Sequence, residues 1–136
     1  MLKLISEGVE IVVTAANKAG ILADITGLLS EKGVNLEAVA GYAGKDKKAR
    51  IMLVCADSAR AVALLKKSGY RSIKENTVVL LAINDRPGSL GAIADALAAA
   101  RIDIKQIYGT TCSTGCPAKI VLSTSNNKKA LAVLKK

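Results

Sequence analysis

The hydrophobic positions of the chain alternate between two spacings. Val9 to Ala15 is rich in β-branched residues, which predicts a strand. After a turn at Asn17–Gly20, apolar residues recur at intervals of three and four, which predicts a helix that ends at Gly33. The pattern then predicts, in order, a strand over Val34–Tyr42, a hairpin turn at Lys45–Lys48, a strand over Arg50–Ala56, a helix over Ala59–Ser68 and a strand over Tyr70–Glu75.

The second half of the chain repeats this pattern. Gly20 aligns with Gly88 at an offset of 68 residues, and the surrounding apolar positions then match one another. Toward the C-terminus the offset becomes 69, so one residue is gained between the regions of Tyr42 and Ser58. The matching elements are strands over Thr77–Ile83, Ile102–Thr111 and Ala118–Thr124, a helix with Pro87 in its first turn, and a last helix from about Ser125 to the chain end.

The order strand, helix, strand, strand, helix, strand predicts an α+β fold of two ferredoxin-like βαββαβ units, with antiparallel sheets and helices on one face. Residues 9–76 form the first predicted unit and residues 77–136 the second. No segment follows the last helix, whereas Leu2–Ser6 lies in the repeat register of Tyr70–Glu75. Residues 1–8 are therefore predicted to supply the fourth strand of the second unit.

The two turns carry a family resemblance. Asn17-Lys-Ala-Gly-Ile-Leu, a helix and Gly33-Val-Asn-Leu, then Asp85-Arg-Pro-Gly-Ser-Leu, a helix and Ile102-Asp-Ile, resemble tandem copies of the ACT domain. The resemblance implies the ferredoxin-like fold and binding of an amino acid or a similar small effector. In serine-binding members, the turn Asn and the Asn that begins the second strand contact the ligand. Those positions match Asn17 and Asn35, but are Asp85 and Asp103 in the second copy, so the first copy is the better match.

Elementary chemistry agrees with a ligand at these turns. Backbone N–H groups lack partners at a helix N-terminus, and the helix dipole favours an anion there. Asn35 and Asp103 are expected near the same end of each unit. The same Asn, Asp and Gly residues would also serve as ordinary caps and turn residues. The candidate ligand-binding residues are Asn17, Lys18, Gly20, Ile21, Leu22, Asn35, Asp85, Arg86, Gly88, Ser89, Leu90 and Asp103.

The amino-acid composition excludes several kinds of catalytic and metal site. The 136 residues contain no His, so a Ser-His-Asp triad, a Cys-His pair and a His metal site are all excluded. No nucleophile and base stand together in a recognisable motif, so the chain is predicted not to be an enzyme, and it implies no cofactor and no metal. Lys and Arg exceed Asp and Glu by nine, but the charges are scattered and no aromatic platform accompanies them, which disfavours nucleic acid as the partner.

Three cysteines do not make a secreted disulfide framework, and no apolar run is long enough to span a membrane, so a cytoplasmic protein is expected. Cys112 and Cys116 flank a predicted hairpin turn with Gly115 at its left-handed position. They form either a redox-sensitive clip or a pair of reduced hairpin residues. Cys55 lies in an apolar strand and is predicted to be a small core residue.

Three hypotheses for function follow. The first is a regulatory module that binds an amino acid or similar effector and modulates a partner enzyme through ligand-dependent packing, either between its units or between copies in a homo-oligomer. The second is a structural module without a ligand, whose sheets pair edge to edge. The third, least favoured of the binding hypotheses, is a basic nucleic-acid-binding protein, whose affinity would depend strongly on salt.

Overall fold

The computed structural model describes residues 2–111 and 114–135. Within them the chain forms strands and helices in the predicted order. The elements are β1 (Leu2–Ala16), α1 (Ile21–Glu31), β2 (Leu36–Ala43), β3 (Lys48–Cys55), α2 (Ser58–Lys67), β4 (Ser72–Ile83), α3 (Ser89–Ala99), β5 (Ile104–Thr110), β6 (Ala118–Thr124) and α4 (Asn127–Leu134).

The chain divides into two compact units. The first unit is Val9–Asn76, and the second unit combines Met1–Gly8 with Thr77–Lys136. In the first unit, β3 pairs antiparallel with β1 on one side and with β2 on the other. In the second unit, β6 pairs antiparallel with β4 and with β5. The predicted α+β fold of βαββαβ units is therefore confirmed.

Two pairs of predicted strands turn out to be single long strands. β1 joins the N-terminal segment to the strand predicted over Val9–Ala15, and β4 joins the strands predicted on either side of Asn76. Ile5 packs against the core of the second unit. That residues 1–8 supply the fourth strand of this unit stays a prediction.

Each unit has its own aliphatic core between its helices and its sheet. In the first unit, Ile25 and Leu29 of α1 and Leu65 of α2 meet β1 and β3, and all three side chains are fully buried. The second core places Ile93, Leu97 and other residues at positions equivalent by the repeat. The extra residue falls in the loop between β5 and β6, because Gly41 opposes Ile51 and Gly109 opposes Ile120.

Three local expectations are wrong. Pro87 does not lie in the first turn of α3, because Gly88 is the N-cap and the helix begins at Ser89. Asn17 and Asp85 are not helix caps, since α1 and α3 have glycine N-caps without a side-chain hydrogen bond. The last helix begins two residues later than expected, where the Asn126 side chain accepts a hydrogen bond from the Lys129 N–H. None of the described helices combines the length and apolar character needed to cross a bilayer.

Candidate ligand sites at the two strand-to-helix turns

A left-handed glycine directs the chain from strand to helix in each unit. Gly20 has φ 92° and Gly88 has φ 89°, a conformation that costs a residue with a Cβ about 1–2 kcal/mol. The first helical hydrogen bonds run from the Asp24 N–H to Gly20 O (2.9 Å) and from the Ala92 N–H to Gly88 O (3.0 Å). The N–H groups just before Asp24 and Ala92 therefore precede the helical ladder.

A surface cavity of about 340 Å³ opens beside the turn of the second unit. Its walls come from the end of β4, the start of α3, the end of β5 and the start of β6. Aliphatic side chains form much of the surface, and polar groups are concentrated at the turn. The lining residues are Ile83, Asn84, Asp85, Arg86, Ser89, Leu90, Ile107, Tyr108, Gly109, Thr110, Thr111, Ala118 and Ile120.

The first unit has an equivalent cavity of about 410 Å³. Each of its lining residues matches a residue of the second cavity at the repeat offset of 68 or 69. The repeat in the sequence is therefore matched by a repeat in the surface shape of the two units. The lining residues are Asn17, Leu22, Val39, Ala40, Gly41, Tyr42, Ala49 and Ile51.

The two cavities differ most at the first residue of the helix. Ser89 is 2% exposed and lines the second cavity, and its hydroxyl has no hydrogen-bond partner among the described residues. The equivalent residue in the first unit is Ile21, which packs against the first core. An unpaired buried hydroxyl costs free energy, so the start of α3 carries an unmet polar group that the start of α1 lacks.

The structure separates two of the predicted site residues from the turns. Asn35 and Asp103 directly precede the starts of β2 and β5, which oppose Cys55 and Thr124, the last residues of β3 and β6. The turns lie beside the opposite ends of those strands. The eight residues of β3 are separated by seven intervals of about 3.3 Å, which gives roughly 23 Å between its two ends. The expectation that these residues lie near the turns is wrong, because α1 and α3 carry the chain back along the unit.

Instead, Asp103 belongs to a structural contact. Its N–H donates to Ser125 Oγ (3.0 Å), and its carbonyl oxygen accepts from the Ser125 N–H (2.9 Å). These bonds join the start of β5 to the end of β6. They give Asp103 a backbone role at the end of the second unit that lies away from the cavity.

Sequence reasoning identified part of each cavity wall. Asn17 and Leu22 line the first cavity, whereas Lys18, Gly20, Ile21 and Asn35 do not. Of the six candidate residues in the second unit, Gly88 and Asp103 do not line the second cavity. The other four do: Asp85, Arg86, Ser89 and Leu90. The sequence did not identify the lining residues that come from β2 and β3 in the first unit and from β5 and β6 in the second. The one signal for them was the alignment of Gly41 with Gly109, where an added Cβ would meet Arg50 O at 3.3 Å and Lys119 O at 2.8 Å.

An ion pair stands beside the first cavity. Arg50 donates two hydrogen bonds to the Asp46 carboxylate, at 3.0 and 2.7 Å, and its guanidinium carbon lies 6.0 Å from the centre of the Tyr42 ring. The hydrogen bond from Arg50 holds the pKa of Asp46 well below its usual range. Asp46 is exposed, so the pair contributes little to stability, but it orders the hairpin that joins β2 to β3.

The cysteines fall into two environments. Cys55 is free and buried in the first core, where burial raises the pKa of its thiol, as suits an inert core residue. Cys116 is disulfide-bonded, and Cys112 lies outside the described residues. Gly115 has φ 89°, which confirms the predicted left-handed position in this hairpin.

Comparison with known proteins finds a family model that matches most of the first unit. Residues 9–67 match the family model of the ACT domain. The matched segment runs from β1 to the last residue of α2, so it includes the first cavity and its turn. No curated protein sequence matches the chain.

Solved structures share the fold over nearly the whole chain. Protein BT0572 from Bacteroides thetaiotaomicron is 23% identical with a TM-score of 0.87, covering 96% of this chain and 88% of that one. The ligand-free regulatory subunit of aspartate kinase from Thermus thermophilus is 12% identical with a TM-score of 0.71, covering 98% and 96%. The aspartokinase alpha and beta subunits are 16% identical, with a TM-score of 0.68 and the same coverages. At these identities the likeness concerns the fold alone.

Proposed function

We propose that the chain is a non-catalytic regulatory module of two ACT-like domains, which binds an amino acid or a similar small effector and modulates a partner enzyme. The observation that carries this proposal is the pair of equivalent cavities, each placed beside a left-handed glycine at a helix N-terminus. A pocket with apolar walls and a few convergent polar groups is the usual form of a small-molecule site. The ACT domain match and the fold shared with an aspartate kinase regulatory subunit add support.

Regulation requires that the effector bind one state of the protein more tightly than another. Each cavity is built from the strand-to-helix turn and at least three separate elements, including the end of an edge strand and the start of a helix. A ligand that bridges those elements would alter their relative positions. We propose that this change is transmitted to a partner enzyme or to a second copy of the chain.

A second candidate function is ligand-free assembly into a homo-oligomer. β2 and β5 each pair with one strand only among the described residues, so each leaves one edge unpaired. These strands also carry exposed apolar side chains, including Val39 (52% exposed) and Ile107 (42% exposed). Unpaired edges of this kind favour strand-to-strand association.

A thermal-shift screen against the twenty standard L-amino acids tests the proposed function. A ligand at 100 times its dissociation constant stabilises the folded state by about 2.7 kcal/mol, which raises the melting temperature by several degrees. We expect at least one amino acid to do so. Arg60→Ala, an exposed substitution that lines neither cavity, should respond like the wild-type chain.

Two further experiments on the wild-type chain distinguish the other two candidate functions. No shift with any amino acid, combined with self-association in sedimentation velocity, would favour the assembly function. Binding to a mixed-sequence RNA that weakens steeply between 50 and 200 mM salt would instead favour the nucleic-acid hypothesis.

A further inference from the structure

Equivalent hairpins border the two cavities, joining β2 to β3 in the first unit and β5 to β6 in the second. In the second unit the strand pairing ends at Thr110, which opposes Lys119. Thr110 and Thr111 line the cavity on one side of the hairpin, and Ala118 lines it on the other. The hairpin therefore connects two walls of the second cavity.

The first hairpin is held by charge. The Lys48 N–H donates to the Asp46 carboxylate (3.2 Å), which also accepts the two hydrogen bonds from Arg50. The sequence of this hairpin, from Tyr42 to Arg50, contains no cysteine. An exposed ion pair of this kind is weakened by salt, because ions screen it, but it does not respond to thiol reagents.

The second hairpin cannot form the same ion pair. At the repeat offsets of 68 and 69, Asp46 matches Thr114 or Gly115, neither of which carries a carboxylate. The second hairpin instead contains Cys116, which is exposed and disulfide-bonded. A covalent link is therefore present in the hairpin region that an ion pair holds in the first unit.

The number of cysteines identifies the candidate partner of Cys116. The chain contains three cysteines, and Cys55 is free and buried in the first core. The remaining cysteine of the sequence is Cys112, which lies outside the described residues. A link between Cys112 and Cys116 would close a short loop over residues 112–116.

The position of this link determines what its loss would affect. A short loop restricts the unfolded chain less than a long loop does, so the link contributes modestly to global stability. Among the described strands, β5 is paired with β6 alone and has no second neighbour to hold its end. Opening the link should therefore release the end of β5 while the core of the unit stays folded.

We propose that Cys112 and Cys116 form a redox-sensitive clip that orders the wall of the second cavity, a control that the first cavity lacks. Oxidation closes the clip and fixes the end of β5 against β6. Reduction opens it and loosens the cavity wall. This inference goes beyond the proposed function, since it concerns the order of the wall and holds whether or not an amino acid binds there.

The chemistry is thiol–disulfide exchange with a small dithiol as the reductant. A thiolate of the dithiol attacks one protein sulfur, which forms a mixed disulfide and releases the other cysteine. The second thiol of the reductant then displaces the remaining protein sulfur. Two electrons and two protons pass to the cysteines, which become thiols, and the reductant leaves as a disulfide. Because Cys116 is exposed, its sulfur is accessible to this attack.

Thiol mapping of the full chain tests the link itself. After oxidation with glutathione disulfide, the native protein should not react with iodoacetamide, since Cys55 is buried and the other two cysteines are linked. After dithiothreitol, Cys112 and Cys116 should both be labelled, and non-reducing peptide maps should place the link between them. A disulfide between two copies of the chain, or labelling of both cysteines in the oxidised protein, would overturn the proposal.

Hydrogen exchange measures the order of the cavity wall. In the reduced protein, the amides of β5 and β6 next to the hairpin should exchange at least about tenfold faster than in the oxidised protein. The amides of β2 and β3 next to the first hairpin should be unchanged and are the internal control. Equal exchange of β5 and β6 in the two redox states would overturn the proposal. So would faster exchange throughout the second unit, since that would indicate global unfolding.

Two substitutions separate the redox effect from a general loosening. Cys116→Ser should exchange like the reduced wild-type chain, and dithiothreitol should not change it further. Asp46→Asn breaks the ion pair of the first hairpin, so it should speed exchange at the ends of β2 and β3 in both redox states. If Cys116→Ser does not fold, the comparison of oxidised with reduced wild-type protein still decides the proposal.

Discussion

At the scale of single residues, Tyr70 makes a contact that the repeat does not predict. Its hydroxyl donates a hydrogen bond to the Asp24 carboxylate of α1, and its ring packs against the first core. Burial, and then this hydrogen bond, raise the pKa of Tyr70 to about 12. Asp24 matches Ala92 at the repeat offset of 68, and an alanine side chain cannot accept such a bond, so the contact belongs to the first unit.

An alkaline titration followed by tyrosine absorbance should show this contact. The neutral phenol is favoured by the fold, so its contribution to stability is present below about pH 10 and is lost as the pH rises through about 12. Tyr70→Phe should remove one late-titrating group, and Asp24→Asn should bring the pKa of Tyr70 closer to 10. The prediction fails if all three tyrosines ionise together near pH 10.

At the scale of an element, α1 has one glycine as its N-cap and another in its interior, with opposite roles. Gly20 is the left-handed N-cap, with φ 92°. Gly27 lies on the exposed side of the helix interior. An added Cβ would meet no atom within 4 Å at either position, so the difference between them lies in the backbone conformation alone.

This gives a matched pair of substitutions. Gly27→Ala should raise the free energy of unfolding by about 0.5–1 kcal/mol, because alanine loses less conformational freedom in a helix. Gly20→Ala should lower it by about 1–2 kcal/mol, the cost of a Cβ in the left-handed region. Urea unfolding measures both values. Equal effects of the two substitutions would show that the turn does not require φ near 92°.

At the scale of the whole molecule, the start of the chain is predicted to complete the second unit. Ile5 packs against the second core, and an added Cβ on Gly8 would come within 2.6 Å of Leu80 Cδ1. The neighbouring Leu4 is 65% exposed. Alternate residues of β1 therefore face the core and the solvent, as a strand requires.

Removing this strand should destabilise the protein. Deletion of residues 1–7 should sharply lower the melting temperature, because the second unit loses a strand and part of its core. Ile5→Ala should cost about 1–2 kcal/mol, less than a fully buried isoleucine, and Leu4→Ala should change stability by no more than about 0.5 kcal/mol. An unchanged melting temperature after the deletion would contradict this role.

The sequence by itself determined the fold class, the order of elements and the register of the repeat. Hydrophobic spacing carries that information locally, since Ile25 and Leu29 recur at helical intervals whether or not the chain is folded. It also located the glycine turns, because a left-handed backbone selects glycine at Gly20 and Gly88. The division into two ACT-like domains stays a prediction beyond residues 9–67.

Only the tertiary structure decided which residues share a site. Asn35 looked close to the turn because it is near it in sequence, but α1 returns the chain to the far end of the unit before β2 begins. Ile107 and Ile120 reach the cavity through strand pairing, which spacing along the chain does not encode. The unpaired state of the Ser89 hydroxyl depends on every neighbouring atom, so it exists only once the core has closed around it.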